Sequence, residues 1–148
     1  MITYDKLNTQ NHKITELSNV ILYLIRDRSM CDTQVTCDLF FSYVEKVREH
    51  LEIQEKHMFT GLLADSSPDV KQVGQNFLSG SKEIKRIFNE YLNKWSRPQS
   101  HQLVIRNHEE FQKETRSMFQ LVLDRIQDEV ERLYPLVREL RGDMERAA

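Results

Sequence analysis

The sequence predicts an all-α fold, an antiparallel up-down-up-down four-helix bundle. Three observations carry that expectation. Apolar residues recur three or four apart through most of the 148 residues, the period of a helix with one buried face. Only four Gly and three Pro interrupt the pattern. Turn-forming residues gather at three places, 28–33, 64–69 and 96–100. Three breaks leave four helices, at about 9–28, 33–63, 68–95 and 101–141. Breaks this short set neighbouring helices antiparallel. The length suits one domain over 1–148, with its core at about 10–141 and a frayed tail.

The first helix carries Ile14, Leu17, Val20, Ile21 and Leu24 on one stripe, with Asn8 or Thr9 as its cap. The second carries Phe40, Tyr43, Val47, His50, Gln54, Met58 and Leu62, with Asp32 or Thr33 as its cap. The third opens on Ser66-Ser67-Pro68. Proline is tolerated in a first turn because its missing N–H has no partner there. Its apolar face is Val73, Phe77, Ile84, Ile87, Tyr91 and Trp95, with Gly74 and Gly80 weakening its first half. The fourth carries Phe111, Met118, Val122, Arg125, Glu129, Leu133, Leu136 and Leu140, and Gly142 is its expected stop. Pro135 lies inside this helix and removes one backbone bond, which predicts a kink near Glu131.

Charge and composition exclude several classes. Both signs are interspersed and the net charge is −2, so the clustered basic face of a nucleic-acid binder is not expected. No apolar run is long enough to span a membrane. The first residues lack the apolar core of a signal peptide, and a cytoplasmic location is the expectation. Cys31 and Cys37 read as buried free thiols. No phosphate loop, nucleotide fingerprint or nucleophile with its base is present, so no enzyme activity is expected.

One pattern occurs twice. His50 is followed by Gln54 and Glu55 and then Met58-Phe59; Arg125 is followed by Glu129 and then Leu133-Tyr134-Pro135. Residues at i and i+4 share a helix face, so each pair points into the core. His12 sits near the start of the first helix and Lys82 on the third. The six positions His12, His50, Gln54, Lys82, Arg125 and Glu129 are expected to converge.

On these residues the chain resembles the hemerythrin-like family, the HHE cation-binding domains, over about 10–140. In that family the first helix bears a His with an apolar residue two on, as at His12 and Ile14. The second bears His with Glu at +4, the third another His, and the fourth His-x-x-x-Glu before a Leu-Tyr-Pro or Leu-Phe-Pro step. The resemblance implies metal ligands at His12, His50 and Glu129, with Glu55 beside the substituted Gln54. It also implies two irons and a role in dioxygen binding, oxygen or nitric-oxide sensing, or iron handling. This chain departs at Gln54, at Lys82 (or Ser81) and at Arg125.

The departures share a logic. Removing two divalent ions from a ring of carboxylates leaves buried charges unpaired. Here one carboxylate is the neutral Gln54, and Arg125 and Lys82 supply cations to Glu129. A metal-free bundle with an ionic cluster of Gln54, Lys82, Arg125 and Glu129 is therefore expected, with no cofactor. The alternative is iron held in a reduced site by His12, His50, Glu129 and Glu55, serving as a sensor. A metal-free scaffold acts through its surface, which implies a protein partner, a homodimer included. The chain is also similar, in helix order and spacing alone, to the bacterial regulator of sigma D family, helical proteins that bind a sigma factor. The stretch from Arg132 to Arg146 is the expected contact surface.

Overall fold

The computed structural model describes the backbone of residues 4–147 and the side chains of residues 5–140. The fold is all-α. Four helical arms are built from six helices. The first arm is α1 (Tyr4–Leu24). A 3-10 turn at Arg28–Asp32 leads to the second arm, α2 (Gln34–Gln54), which passes through a π-helical turn at Glu55–Phe59 into α3 (Thr60–Leu63). The third arm is α4 (Pro68–Trp95). The fourth is α5 (His108–Asp128), a second π-helical turn at Glu129–Leu133, and α6 (Tyr134–Ala147).

The caps explain the boundaries. Thr33 precedes α2, and its Oγ1 accepts the Thr36 N–H, satisfying a first-turn donor. Ser67 precedes Pro68 at the start of α4 but makes no side-chain cap bond, so the proline in the first turn marks this boundary. Asn107 precedes α5 and accepts the Glu110 N–H at 3.0 Å. The fourth arm therefore starts at His108 and not at 101. Residues 96–103 form a small hairpin instead: β1 (Ser96–Arg97) pairs antiparallel with β2 (Gln102–Leu103). His101 turns it with φ 50° and lays its ring on Phe41. Asn8 and Thr9 cap nothing, because α1 already includes them. Gly142 does not stop the last helix, whose backbone runs on to Ala147.

The expected kink near Glu131 takes the form of the second π turn. Pro135 has no N–H to offer Glu131, and the Tyr134 N–H reaches one residue further, to the Glu129 carbonyl. The apolar stripe calls for the same adjustment. Buried positions run Met118, Val122, Ile126, Glu129, Leu133, Val137. Five turns of this stripe advance further along the chain than five α-turns can. The surplus rotation is about 100°, one residue of α-helix, and the π turn absorbs one residue.

The arms pack so that α1 contacts α2 and α5, while α4 contacts α5, α3 and the first π turn. Two apolar clusters result. One includes Ile14, Ile21, Phe40, Tyr43, Phe88, Trp95, Phe119 and Ile126. The other includes Leu7, Met58, Phe59, Leu62, Phe77, Leu133 and Val137. Each such side chain, fully buried, stabilises by about 1.5–3 kcal/mol. The buried stripe on α1 is Leu7, Ile14 and Ile21, continued by Ile25 just past its end; Val20, expected on it, is 45% exposed. Cys31 and Cys37 are buried free thiols. No helix of the described residues is long and apolar enough to cross a membrane.

Candidate functional site

A buried polar layer separates the two apolar clusters. Along every arm it falls between a residue of one cluster and a residue of the other. On α1 it is Asn11, between Leu7 and Ile14. On the second arm it is His50 and Gln54, between Val47 and Met58. On α4 it is Ser81, between Phe77 and Ile84. On the fourth arm it is Arg125 and Glu129, between Val122 and Leu133. His50, Gln54, Ser81 and Glu129 are at most 2% exposed.

Glu129 is the hub. Its carboxylate is fully buried, a state costing several kcal/mol for an ion without partners. Both oxygens are satisfied. His50 Nε2–H donates to Oε1 at 2.8 Å, and Arg125 Nε–H donates to Oε2 at 3.0 Å. A carboxylate only accepts, so the His50 proton on this side is fixed at Nε2. His50 Nδ1 meets the Gln10 carboxamide at 2.9 Å. The Gln54 carboxamide approaches the same Nε2 at 3.0 Å. Two donors cannot satisfy each other, so the Gln54 end facing the ring is its oxygen. That orientation also employs Oε1, the acceptor otherwise left unpaired in the core.

Arg125 closes the chain of contacts on the α4 side. Its NH2 group donates to the Phe77 carbonyl at 2.8 Å, and its guanidinium lies 4.7 Å from the Phe77 ring centre, a favourable place for a cation. Gly80 makes room for it. A Cβ at Gly80 would come within 2.7 Å of the guanidinium. Tyr134, of the Leu-Tyr-Pro step, borders the layer. Its hydroxyl accepts from Asn11 Nδ2 at 3.4 Å. Burial, and then the Glu129 charge, push its pKa up to about 12.

No family model, curated protein or solved structure matches this chain.

Several expected site residues lie elsewhere. His12 is on the surface, its side chain 74% exposed and paired with Glu16. Lys82 is exposed. Glu55 pairs with Lys85 at the edge of the second and third arms. The expected cluster thus assembles in part: Gln54, Arg125 and Glu129 meet around His50, without His12 or Lys82. The reason is helix phase. Asn11 is three residues before Ile14 and four after Leu7; Ser81 stands in the same relation to Ile84 and Phe77. Their neighbours His12 and Lys82 are rotated by about 100° toward solvent. Heptad spacing through Leu7, Ile14 and Ile21 was the signal for Asn11. Gln10 and the Phe77 carbonyl carried no sequence signal.

The donor set does not fit a di-iron centre. Among the described residues no three His, Cys, Asp or Glu side chains are grouped to hold a metal ion. His50 and Glu129 are ligand types, but they hydrogen-bond each other. The other Glu129 oxygen carries a guanidinium, which has no lone pair to give a metal. Both His50 ring nitrogens and both Glu129 oxygens are engaged inside the protein.

Proposed function

We propose that this chain is a hemerythrin-like up-down-up-down bundle whose metal centre has given way to a hydrogen-bonded ionic layer. On this reading it is a cytoplasmic, non-catalytic regulatory module that binds a protein partner. The observation that carries the reading is the Arg125–Glu129 pair. A cation of the chain's own occupies the place where the resemblance puts a metal ligand. It neutralises the one buried carboxylate of the layer, so the layer needs no metal to balance it. The packing order of the arms, with α1 beside α2 and α5 and with α4 beside α3 and α5, is compatible with a closed bundle.

Thermal unfolding with and without divalent metal tests this. A ligand that binds only the folded state raises Tm, by RT ln(1 + [L]/Kd) in free energy. Anaerobic Fe(II), Mn(II) or Zn(II) in excess should leave Tm unchanged. A rise with Fe(II) that disappears in Glu129→Gln would overturn the reading.

A further inference from the structure

A shallow, open groove of about 550 Å³ lies between α4 and the fourth arm. Its floor is apolar: Ile84, Ile87 and Leu121. Its fourth-arm wall carries Asp124 on α5 and Glu131 in the second π turn, seven residues apart and both exposed. Charge on this wall is unevenly compensated. Glu83 across the cleft is paired with Arg86, and Asp128 with Arg132. Among the described residues, Asp124 and Glu131 receive only neutral amide donors, from Gln120 and Gln127. Two carboxylates with no cation partner among the described residues therefore stand about two helical turns apart above an apolar trough. Arg125 closes the cleft's base but is turned inward onto Glu129 and Phe77, so it does not cancel them.

We infer that this cleft docks an amphipathic helix of another protein, with an apolar ridge and Lys or Arg on the flank facing α5. A trough between two helices accepts a third helix, which reads as anchors at i, i+3 and i+7. The two carboxylates select cations at a matching i, i+7 spacing. Opposite charge at the rim adds to on-rate and specificity, while the apolar floor supplies most of the holding energy. The inference rests on the binding-module reading above and names the chemistry of its partner.

The test uses the full chain and a model helix of roughly 20 residues, Leu on one face and Lys on the other. Its counterpart carries Glu in place of Lys. Backbone amide shifts are followed on labelled protein during titration, and affinity by fluorescence anisotropy. The Lys helix should shift amides along α4 and α5 at the cleft, and the Glu helix should not. Asp124→Lys with Glu131→Lys should weaken binding about tenfold or more, as expected for reversing close charge pairs. Ile87→Arg should abolish it, and Lys46→Glu on α2 should not weaken it. Shifts confined to another face, no binding, or binding insensitive to the cleft variants would each overturn the docking site. So would sedimentation showing that a second copy fills the cleft, with dimers lost in Ile87→Arg. An Fe(II)-dependent rise in Tm on the same samples would instead overturn the module reading, whatever the peptide result.

Discussion

Arg125 carries more consequence than any other side chain here. It neutralises Glu129, fills the space above Gly80 and caps the Phe77 carbonyl. Removing it strands a buried carboxylate, so Arg125→Met should destabilise the fold by about 3–5 kcal/mol. Arg125→Met combined with Glu129→Leu should cost less than Arg125→Met alone, because no lone charge is left behind. Urea unfolding of the two variants measures the difference, and equal losses would mean that the pair is not coupled. Gly80→Ala tests the same contact from the other side. Alanine is the better helix former by about 1 kcal/mol, yet its Cβ would displace the guanidinium. It should destabilise the wild type and stabilise the Arg125→Met variant. Tyr43 offers a simpler case. Its hydroxyl is buried without a hydrogen-bond partner, so Tyr43→Phe should gain about 1 kcal/mol. Of these residues, His50, Gln54, Arg125 and Glu129 were legible in the sequence, because polar residues interrupt an otherwise apolar stripe. His12 and Lys82 misled because residue type outweighed phase; each neighbours the residue that the heptad spacing buries.

At the scale of elements, the π turn in the fourth arm links one proline to one stripe. The surplus residue lets the chain pass Pro135 without a clash and brings Leu133 and Val137 back onto the core. Val130, 41% exposed, is a residue of that turn. Deleting it should restore a regular α-helix with the same downstream face. Pro135 would then sit in an ordinary helix interior, at a cost of about 3 kcal/mol. The deletion should therefore be strongly destabilising alone and largely rescued by Pro135→Ala, read by circular dichroism and urea unfolding. No rescue would mean that the turn is held by something other than the proline. An irregularity at this place was legible from Pro135 itself. The matching π turn at Glu55–Phe59 was not, since no proline or glycine marks its start. The hairpin at 96–103 was also missed, because two-residue strands leave no alternation to read.

Over the whole molecule, the two apolar clusters and the layer between them set both stability and its pH dependence. Tyr43, Tyr91 and Tyr134 are all buried, and burial raises the pKa of each above the ordinary 10.0. In the unfolded chain they ionise near pH 10, before they do so in the folded one. The unfolded state then holds fewer protons, so stability present below pH 10 must fall as pH rises from there toward about 12, the value of Tyr134. Each tyrosine contributes a slope of up to about 1.4 kcal/mol per pH unit. Urea midpoints between pH 9 and 12 should drop steeply, and less steeply in Tyr134→Phe; equal slopes would contradict the assignment. The all-α class was legible from periodicity and from the scarcity of Gly and Pro. The Arg125–Glu129 charge balance was legible from their one-turn spacing, while the His50 contact to Glu129 needed coordinates, because His50 comes from another arm. That balance is the central claim, and metal stoichiometry tests it most directly. Purified protein, loaded anaerobically with Fe(II) and desalted, should retain far less than one iron per chain. One or two irons per chain, lost together in His50→Ala and Glu129→Gln, would contradict it.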